Sequence, residues 1–238
     1  MKFAIVNFSG NVGKTTLAVN LLLARMPGAK VISVESLNVD SSSDGLEVEK
    51  MKGKKFGEMI DLVMTHDEVI VDVGASNVED WMKLMQQYDG SHEEFDFFIV
   101  PAVKEKKQLA DTVNTIRALS KLGVPRTKIR MVFNMVDTDD QIEDVFAPLF
   151  GLASAEKTFV INSGAAVEMS ELYGLLKSEK ITIGDVLADE TDYRAKLRET
   201  TDEDEKANCL RRIAIKRLSV GAKRNLDAVF AALTAKAK

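Results

Sequence analysis

Apolar runs of strand length alternate along the chain with longer segments of helical spacing. Lys2 to Phe8 reads as the first strand, and Lys14 to about Arg25 as the first helix, closed by Pro27-Gly28. Val31 to Val34 follows as a strand, then the polar stretch Asn38 to Gly45 as a flexible connection. Phe56 to Met64 has helical spacing, and Glu68 to Gly74 is a buried strand ending in an acid and a glycine. Helices are expected over Val78 to Tyr88 and Lys106 to Leu122, and strands over Phe95 to Pro101 and Lys128 to Phe133, the latter reaching Asn134. Thr158 to Ile161 is expected as a short last strand. Continuous Val/Ile/Phe runs between helices mark a mostly parallel sheet covered on both faces. The predicted class is therefore α/β, with helices on both faces of the sheet and a C-terminal helical extension. We place the main domain at residues 1–181 and the extension, packed on it, at 182–238.

Composition narrows the function classes. A chain of 238 residues with 45% hydrophobic and 29% charged residues can bury a core without metal or disulfide. The single cysteine, Cys209, forms no intrachain disulfide and suggests a reducing cytosol. His66 and His92 have no spaced partner, which argues against a zinc site. No apolar run approaches the ~18 residues of a transmembrane helix. The N-terminal apolar run reads as a core strand rather than a signal peptide. A formal net charge of −5 argues against a protein coated in basic surface, although local basic patches remain.

The chemistry concentrates at Phe8-Ser9-Gly10-Asn11-Val12-Gly13-Lys14-Thr15-Thr16, between the first strand and the first helix. This is a phosphate-binding loop. Its successive backbone amides, from Gly10, Asn11, Val12 and Gly13 through Thr16, converge on one spot and favour an anion there. Lys14 reaches the β- and γ-phosphates, and the Thr15 hydroxyl coordinates Mg²⁺. The usual G-x-x-x-x-G-K-S/T pattern is incomplete, because Phe8 stands where its first Gly would be. Asp72, at the C-terminal end of a strand, is placed to hold Mg²⁺ through water, since ligands of open α/β sheets bind outside strand carboxyl ends. Gly74 to Asn77 is a candidate switch segment that lets backbone approach a γ-phosphate. Asn134 offers a donor and an acceptor to a purine edge. Asn134-Met135-Val136-Asp137 also resembles the guanine signature N-K-x-D with Met135 for Lys, so ATP is favoured and GTP stays open.

On these residues the chain resembles the deviant P-loop ATPases of the ParA/MinD class, which space DNA cargo or position division proteins. Within it, the opening Met1 to Thr16 is similar to StbB/TraL-type plasmid stability and conjugation proteins. The similarity covers roughly Met1 to Leu176. It implies a cytoplasmic nucleotide switch with a plasmid DNA-binding partner protein and a nucleotide-dependent homodimer. Two departures bear on catalysis. The family loop reads K-G-G-x-x-K-S/T, and its first Lys reaches a partner's nucleotide; here Ser9 occupies that position. The family also carries D-x-D after its second strand, where this chain has Glu35-Ser36-Leu37. Glu35 fits the first acid, but Leu37 can neither accept a proton nor hold a water. Loss of such an orienter costs ~10²–10⁴ in rate, unless Asp40 or Asp44 substitutes. The resemblance therefore implies tight nucleotide binding with slow or partner-stimulated hydrolysis.

From Ala207 onward the bases Arg211, Arg212, Lys216, Arg217, Lys223, Arg224, Lys236 and Lys238 face one acid, Asp227. Two surface helices with solvated charge explain them, and so does a basic strip touching DNA phosphates; a membrane-surface helix ranks last. Leu226, Val229, Phe230 and Leu233 recur at i, i+3, i+4 and i+7, so one face there packs on something apolar. Methionines 51, 59, 64, 82 and 85 and Trp81 read as core. Lys104-Glu105-Lys106-Lys107 starts a helix near the nucleotide face, and could also supply a partner subunit with the cation that Ser9 lacks. The rival functions are a dethiobiotin-synthetase-like ligase and a non-hydrolysing DNA-binding adaptor. A nitrogenase-reductase-like carrier is excluded, because Cys209 alone cannot supply the two cysteines each subunit needs for a shared cluster.

Overall fold

The structure, a computed structural model, describes residues 1–34 and 53–236. Glu35, Leu37, Asp40, Asp44, the connection from Asn38 to Gly45, Met51 and Lys238 lie outside the described residues. Strand β1 (Lys2–Ile5) leads into α1 (Lys14–Leu17), which continues as a π turn over Ala18–Leu22 and a 3₁₀ turn over Leu23–Arg25. Then come β2 (Lys30–Ser33), α2 (Gly53–Thr65), β3 (Val69–Asp72) and α3 (Val78–Gln87). They are followed by β4 (Phe97–Ala102), α4 (Lys106–Lys121), β5 (Ile129–Val136), α5 (Ile142–Val145) and α6 (Ala147–Glu156). The chain closes with β6 (Ala166–Glu168), α7 (Leu172–Glu179), α8 (Ile183–Ala188), α9 (Tyr193–Glu199) and α10 (Glu203–Thr234).

The six strands are parallel, in the order β2-β3-β1-β4-β5-β6. The order reverses about β1, so the loop after it emerges at the switch point where ligands of such sheets bind. Strand alternation sorts the core into two layers. Ala4 and Val6 of the β1 segment join Phe56, Val78, Trp81, Ile116 and Leu149 of α2, α3, α4 and α6. Phe3 and Ile5 point the other way, to Leu17, Leu21, Leu176, Ile183, Leu226, Val229 and Leu233 of α1, its π turn, α7, α8 and α10. The apolar face expected near the C-terminus is thus buried on the sheet itself, with Phe230 tilted against Phe3 at 6.3 Å. Among the described residues no helix is long and apolar enough to cross a membrane.

Three expectations change. The last strand is not Thr158 to Ile161: there only Val160 bridges Arg130. A turn closed by the Ala165 amide on the Asn162 carbonyl (2.9 Å) interrupts the edge, and pairing with β5 resumes as β6 at Ala166. Asn162 and Gly164 supply that turn. The expected pair of C-terminal helices is a single helix of 32 residues, begun by Asp202, whose carboxylate accepts from the Glu205 amide. Gly221 does not divide it, because the turns on both sides are anchored by buried Ser219 and Leu226. Met59, Met82 and Met85 are core residues as expected, but Met64 is 57% exposed. Trp81 is fully buried among Phe56, Phe95 and Phe98, as packing requires.

Candidate functional site: the phosphate loop and its surroundings

The loop after β1 is held by a buried polar frame. Asn7 donates to the Pro101 carbonyl (2.7 Å) and the Thr112 hydroxyl (2.9 Å), and accepts from the Ser9 amide (2.8 Å). The Phe8 amide donates to the Thr115 hydroxyl at 3.1 Å. Asn7, Thr112 and Thr115 are all fully buried, so each bond forms in a low-dielectric setting where leaving it unmade would be costly. Sequence reasoning missed this frame. Its signal was two hydroxyls one helical turn apart, on the stripe where α4 should have been apolar.

Within the frame, the loop takes conformations that few residues accept. Asn11 has φ 57° and Gly13 has φ 81°, both left-handed. Asn tolerates that region, and Gly13 requires it for a second reason: a Cβ there would lie 2.2 Å from Asn134 Nδ2. Gly10, by contrast, has open space around it. Lys14 is buried, and its ammonium donates to the carbonyls of Ser9 (2.7 Å) and Asn7 (3.2 Å) across the loop. Thr15 donates its hydroxyl to Asp72 at 2.7 Å, tying the start of α1 to the end of β3. These two side chains present hard oxygens side by side, a donor set that suits Mg²⁺. The loop amides and Lys14 likewise suit a phosphate chain. Gly74 to Asn77 runs as a 3₁₀ turn over Ala75–Asn77 into α3.

The remaining candidates fall in more surprising places. Asn134 sits inside β5 at its irregular pairing with β6, and is 4% exposed. Its amide donates to the Val12 carbonyl at 2.9 Å, so it props the phosphate loop from behind. Asp137 is ion-paired with Lys104, which also reaches Asp140 at 3.2 Å. Those two carboxylates, by hydrogen bonding first and by charge second, hold the exposed Lys104 ammonium above its ordinary pKa. Ser9 is buried as well, and its hydroxyl donates to Asp111 of α4 at 2.5 Å. The position where a family Lys would reach outward is turned inward.

Across α1 from this frame lies a cavity of about 340 Å³. Thr15, Thr16, Val19 and Asn20 form one wall, and Tyr173, Leu176, Lys177 and Lys180 the other. Asn20 belongs to the π turn and donates to the Thr16 carbonyl at 3.1 Å. Burial pushes the Tyr173 phenol up to about 12, so the ring is neutral at ordinary pH.

A family model of the CobQ/CobB/MinD/ParA nucleotide binding domain matches residues 3–161, from β1 to the bridge at Val160. The chain belongs to this family. It is a ParA/MinD-type P-loop ATPase by superfamily, as the loop and Asp72 implied. None of the curated proteins matches the chain. Among solved structures, apo McdA from Cyanothece is similar at 16% identity and TM-score 0.50, covering 78% of this chain and 92% of McdA. MinD from Pyrococcus horikoshii, in complex with Mg-ADP, is similar at 16% identity and TM-score 0.47, covering 75% of this chain and 85% of MinD. The ParA of pNOB8 stands at 15% identity and TM-score 0.47, covering 94% of this chain and 98% of that one. At such identities the likeness to McdA speaks for the fold alone.

The basic residues of this family member's α10 are less free than their number suggests. Arg211 and Arg212 both bind Glu179, at 2.7 and 3.1 Å. Lys216 donates to the Asp189 carbonyl, and Lys223 pairs with Asp227 at 2.7 Å. Asp227 also receives Arg25, which links the end of the α1 segment to α10. Among the described residues of the helix, Arg217 and Arg224 are exposed cations without an ion-pair partner.

Proposed function

We propose that the protein is a cytoplasmic ParA-like nucleotide switch, acting in plasmid stability, partition or conjugative DNA transfer beside a DNA-binding partner protein. The observation that carries this reading is the Thr15–Asp72 hydrogen bond, which brings an oxygen from the start of α1 and one from the end of β3 together, both suited to magnesium, next to the loop that ends at the buried Lys14. In this reading the amides from Gly10 to Thr16 and the Lys14 ammonium hold the phosphates of ATP, or of GTP, and Thr15 and Asp72 hold Mg²⁺. The ion would neutralise charge on the phosphates. Asn134 fixes the loop through the Val12 carbonyl and offers its second amide hydrogen and its carbonyl oxygen to a purine edge, and Glu35 retains the assignment of a catalytic acid. The plasmid branch rests on the resemblance of Met1 to Thr16 to StbB/TraL-type proteins.

Hydrolysis is slow or partner-stimulated in this proposal, because Ser9 donates to its own chain's Asp111 and brings no cation to a partner's nucleotide. A nucleotide-dependent homodimer would then need its trans-acting charge from elsewhere. Lys14→Ala should weaken Mg-nucleotide binding by at least ~100-fold in calorimetric titration, since charge-assisted contacts to phosphate are the strongest the loop offers. Nucleotide binding unchanged in that variant would end the proposal. Rapid turnover by the purified protein with no partner added would end its slow-hydrolysis part.

Direct DNA contact at this end of the chain uses Arg217 and Arg224 of α10 and Lys236 just beyond it rather than the whole basic run. Two or three phosphate contacts predict a slope of only about −2 to −3 in log K against log salt concentration. A slope near −6, measured by fluorescence anisotropy on duplex DNA, would mean that the internal ion pairs open on binding.

A further inference from the structure

We infer that a groove between the first turn of α9 and the middle of α10 docks a segment of a partner protein, one that carries an aliphatic or aromatic side chain flanked by acids. The surface is independent of the nucleotide reading, since it lies at residues 191–220, beyond the 3–161 that the family model matches. A cavity of about 270 Å³ opens there, lined by the apolar Ile213 and Val220 and by the cations Arg194, Lys216 and Arg217. Leu210, Ile213, Arg217, Val220 and Arg224 recur at i, i+3, i+7, i+10 and i+14, so they form one stripe of α10. This is the side turned away from Ile215, Leu226, Val229 and Leu233, which bury the helix on the sheet. Val220 is 50% and Leu210 56% exposed. At 1.5 Å rise per residue, the apolar strip from Leu210 to Val220 is about 15 Å long.

Charge decides what fits this strip. The cavity has three cations against one acid, Asp192, which caps α9 by accepting from the Arg194 and Ala195 amides at 3.0 Å. Lys216 is turned to the Asp189 carbonyl, and the Asp189 carboxylate accepts from the Tyr193 hydroxyl at 2.6 Å, which fixes that wall. The positive excess sits on Arg194 of α9 and Arg217 of α10, neither of which has an ion-pair partner among the described residues. Their guanidinium forks suit carboxylates, while Ile213 and Val220 reward burial of an apolar side chain. Duplex DNA offers phosphates but nothing apolar to cover Val220 and Leu210. A membrane-surface helix keeps its cations off its apolar face, whereas Arg217 lies within this one. A small apolar acid would fill the cavity and leave Leu210 open. A peptide segment with both features covers the whole strip.

The test is selection of random dodecapeptides displayed on phage against the full chain, followed by fluorescence anisotropy of the enriched peptides. They should carry Asp or Glu beside Leu, Ile or Phe, and should bind Val220→Asp and Arg217→Glu at least about tenfold more weakly than wild type. Both positions are exposed, so the two variants should melt like wild type. Arg194→Glu, on the facing wall, replaces either variant that does not. The charge swap is the specific control: a peptide whose acids are changed to lysines should bind Arg217→Glu more tightly than it binds wild type, which lost packing alone cannot produce. No enrichment, enriched peptides that are neutral or basic, or equal binding to wild type and well-folded variants overturns the inference. Duplex DNA or phosphatidylglycerol vesicles bound more tightly than every acidic peptide, and released by Val220→Asp, overturn it as well.

Discussion

A chain ended at Asp202 is expected to lose its cooperative fold. Without α10, the sheet face carrying Phe3, Ile5, Ile99 and Val132 loses its covering of Ile215, Leu226, Val229 and Leu233, none of which is more than 2% exposed. Each such side chain is worth about 1.5–3 kcal/mol in burial, so the four together contribute about 6–12 kcal/mol. That equals most or all of the ~5–15 kcal/mol by which domains of this kind are stable. The Arg25–Asp227 pair adds little, since Asp227 is half exposed, but it fixes how α10 lies against the phosphate-loop helix. Circular dichroism melts of the truncated and full chains check this. A truncated chain that melts cooperatively at the full-length temperature would show that residues 1–202 are self-sufficient.

Gly13→Ala is expected to cost about 2–5 kcal/mol of stability. About 1–2 kcal/mol comes from placing a Cβ at φ 81°. The rest comes from Asn134, whose amide would lie 2.2 Å from that Cβ and must leave the buried Val12 carbonyl, at about 1–3 kcal/mol for a polar group stranded without its partner. Gly10→Ala is the contrast. It meets nothing within 4 Å and should change stability by less than about 0.5 kcal/mol. Urea unfolding of the two variants without nucleotide separates them. Equal midpoints for both would mean that the Gly13–Asn134 contact does not shape the loop.

Much of the architecture was readable because the physics is local. Continuous apolar runs such as Val69 to Val71 can be satisfied only in a sheet covered on both faces, and the glycines and Lys14 carry their chemistry in a short contiguous stretch. The misses share a cause. Val160 and Ala166 pair with one strand across a turn, and nothing in their spacing shows which of the two makes the longer ladder. Two surface helices fit the charge pattern as well as one does; buried residues on either side of Gly221 hold the chain in the single α10 despite the low helix propensity of glycine. The contact that Asn134 makes inside the chain is not written in its spacing. Its amide suits a base edge and a backbone carbonyl equally, and only the distance to Val12 distinguishes them.

By itself, then, the sequence determined the α/β class, the phosphate loop, the strand-end acid and the apolar face of the last helix. Each follows from residue type and spacing within a few turns of chain. Tertiary structure alone decided the rest: that Ser9 faces Asp111, 102 residues away, that Asp137 belongs to Lys104, and that a cavity opens between α1 and α7. Those are meetings of side chains from distant parts of the chain. Their chemistry depends on burial and on which donor finds which acceptor, and neither is fixed until the layers have packed.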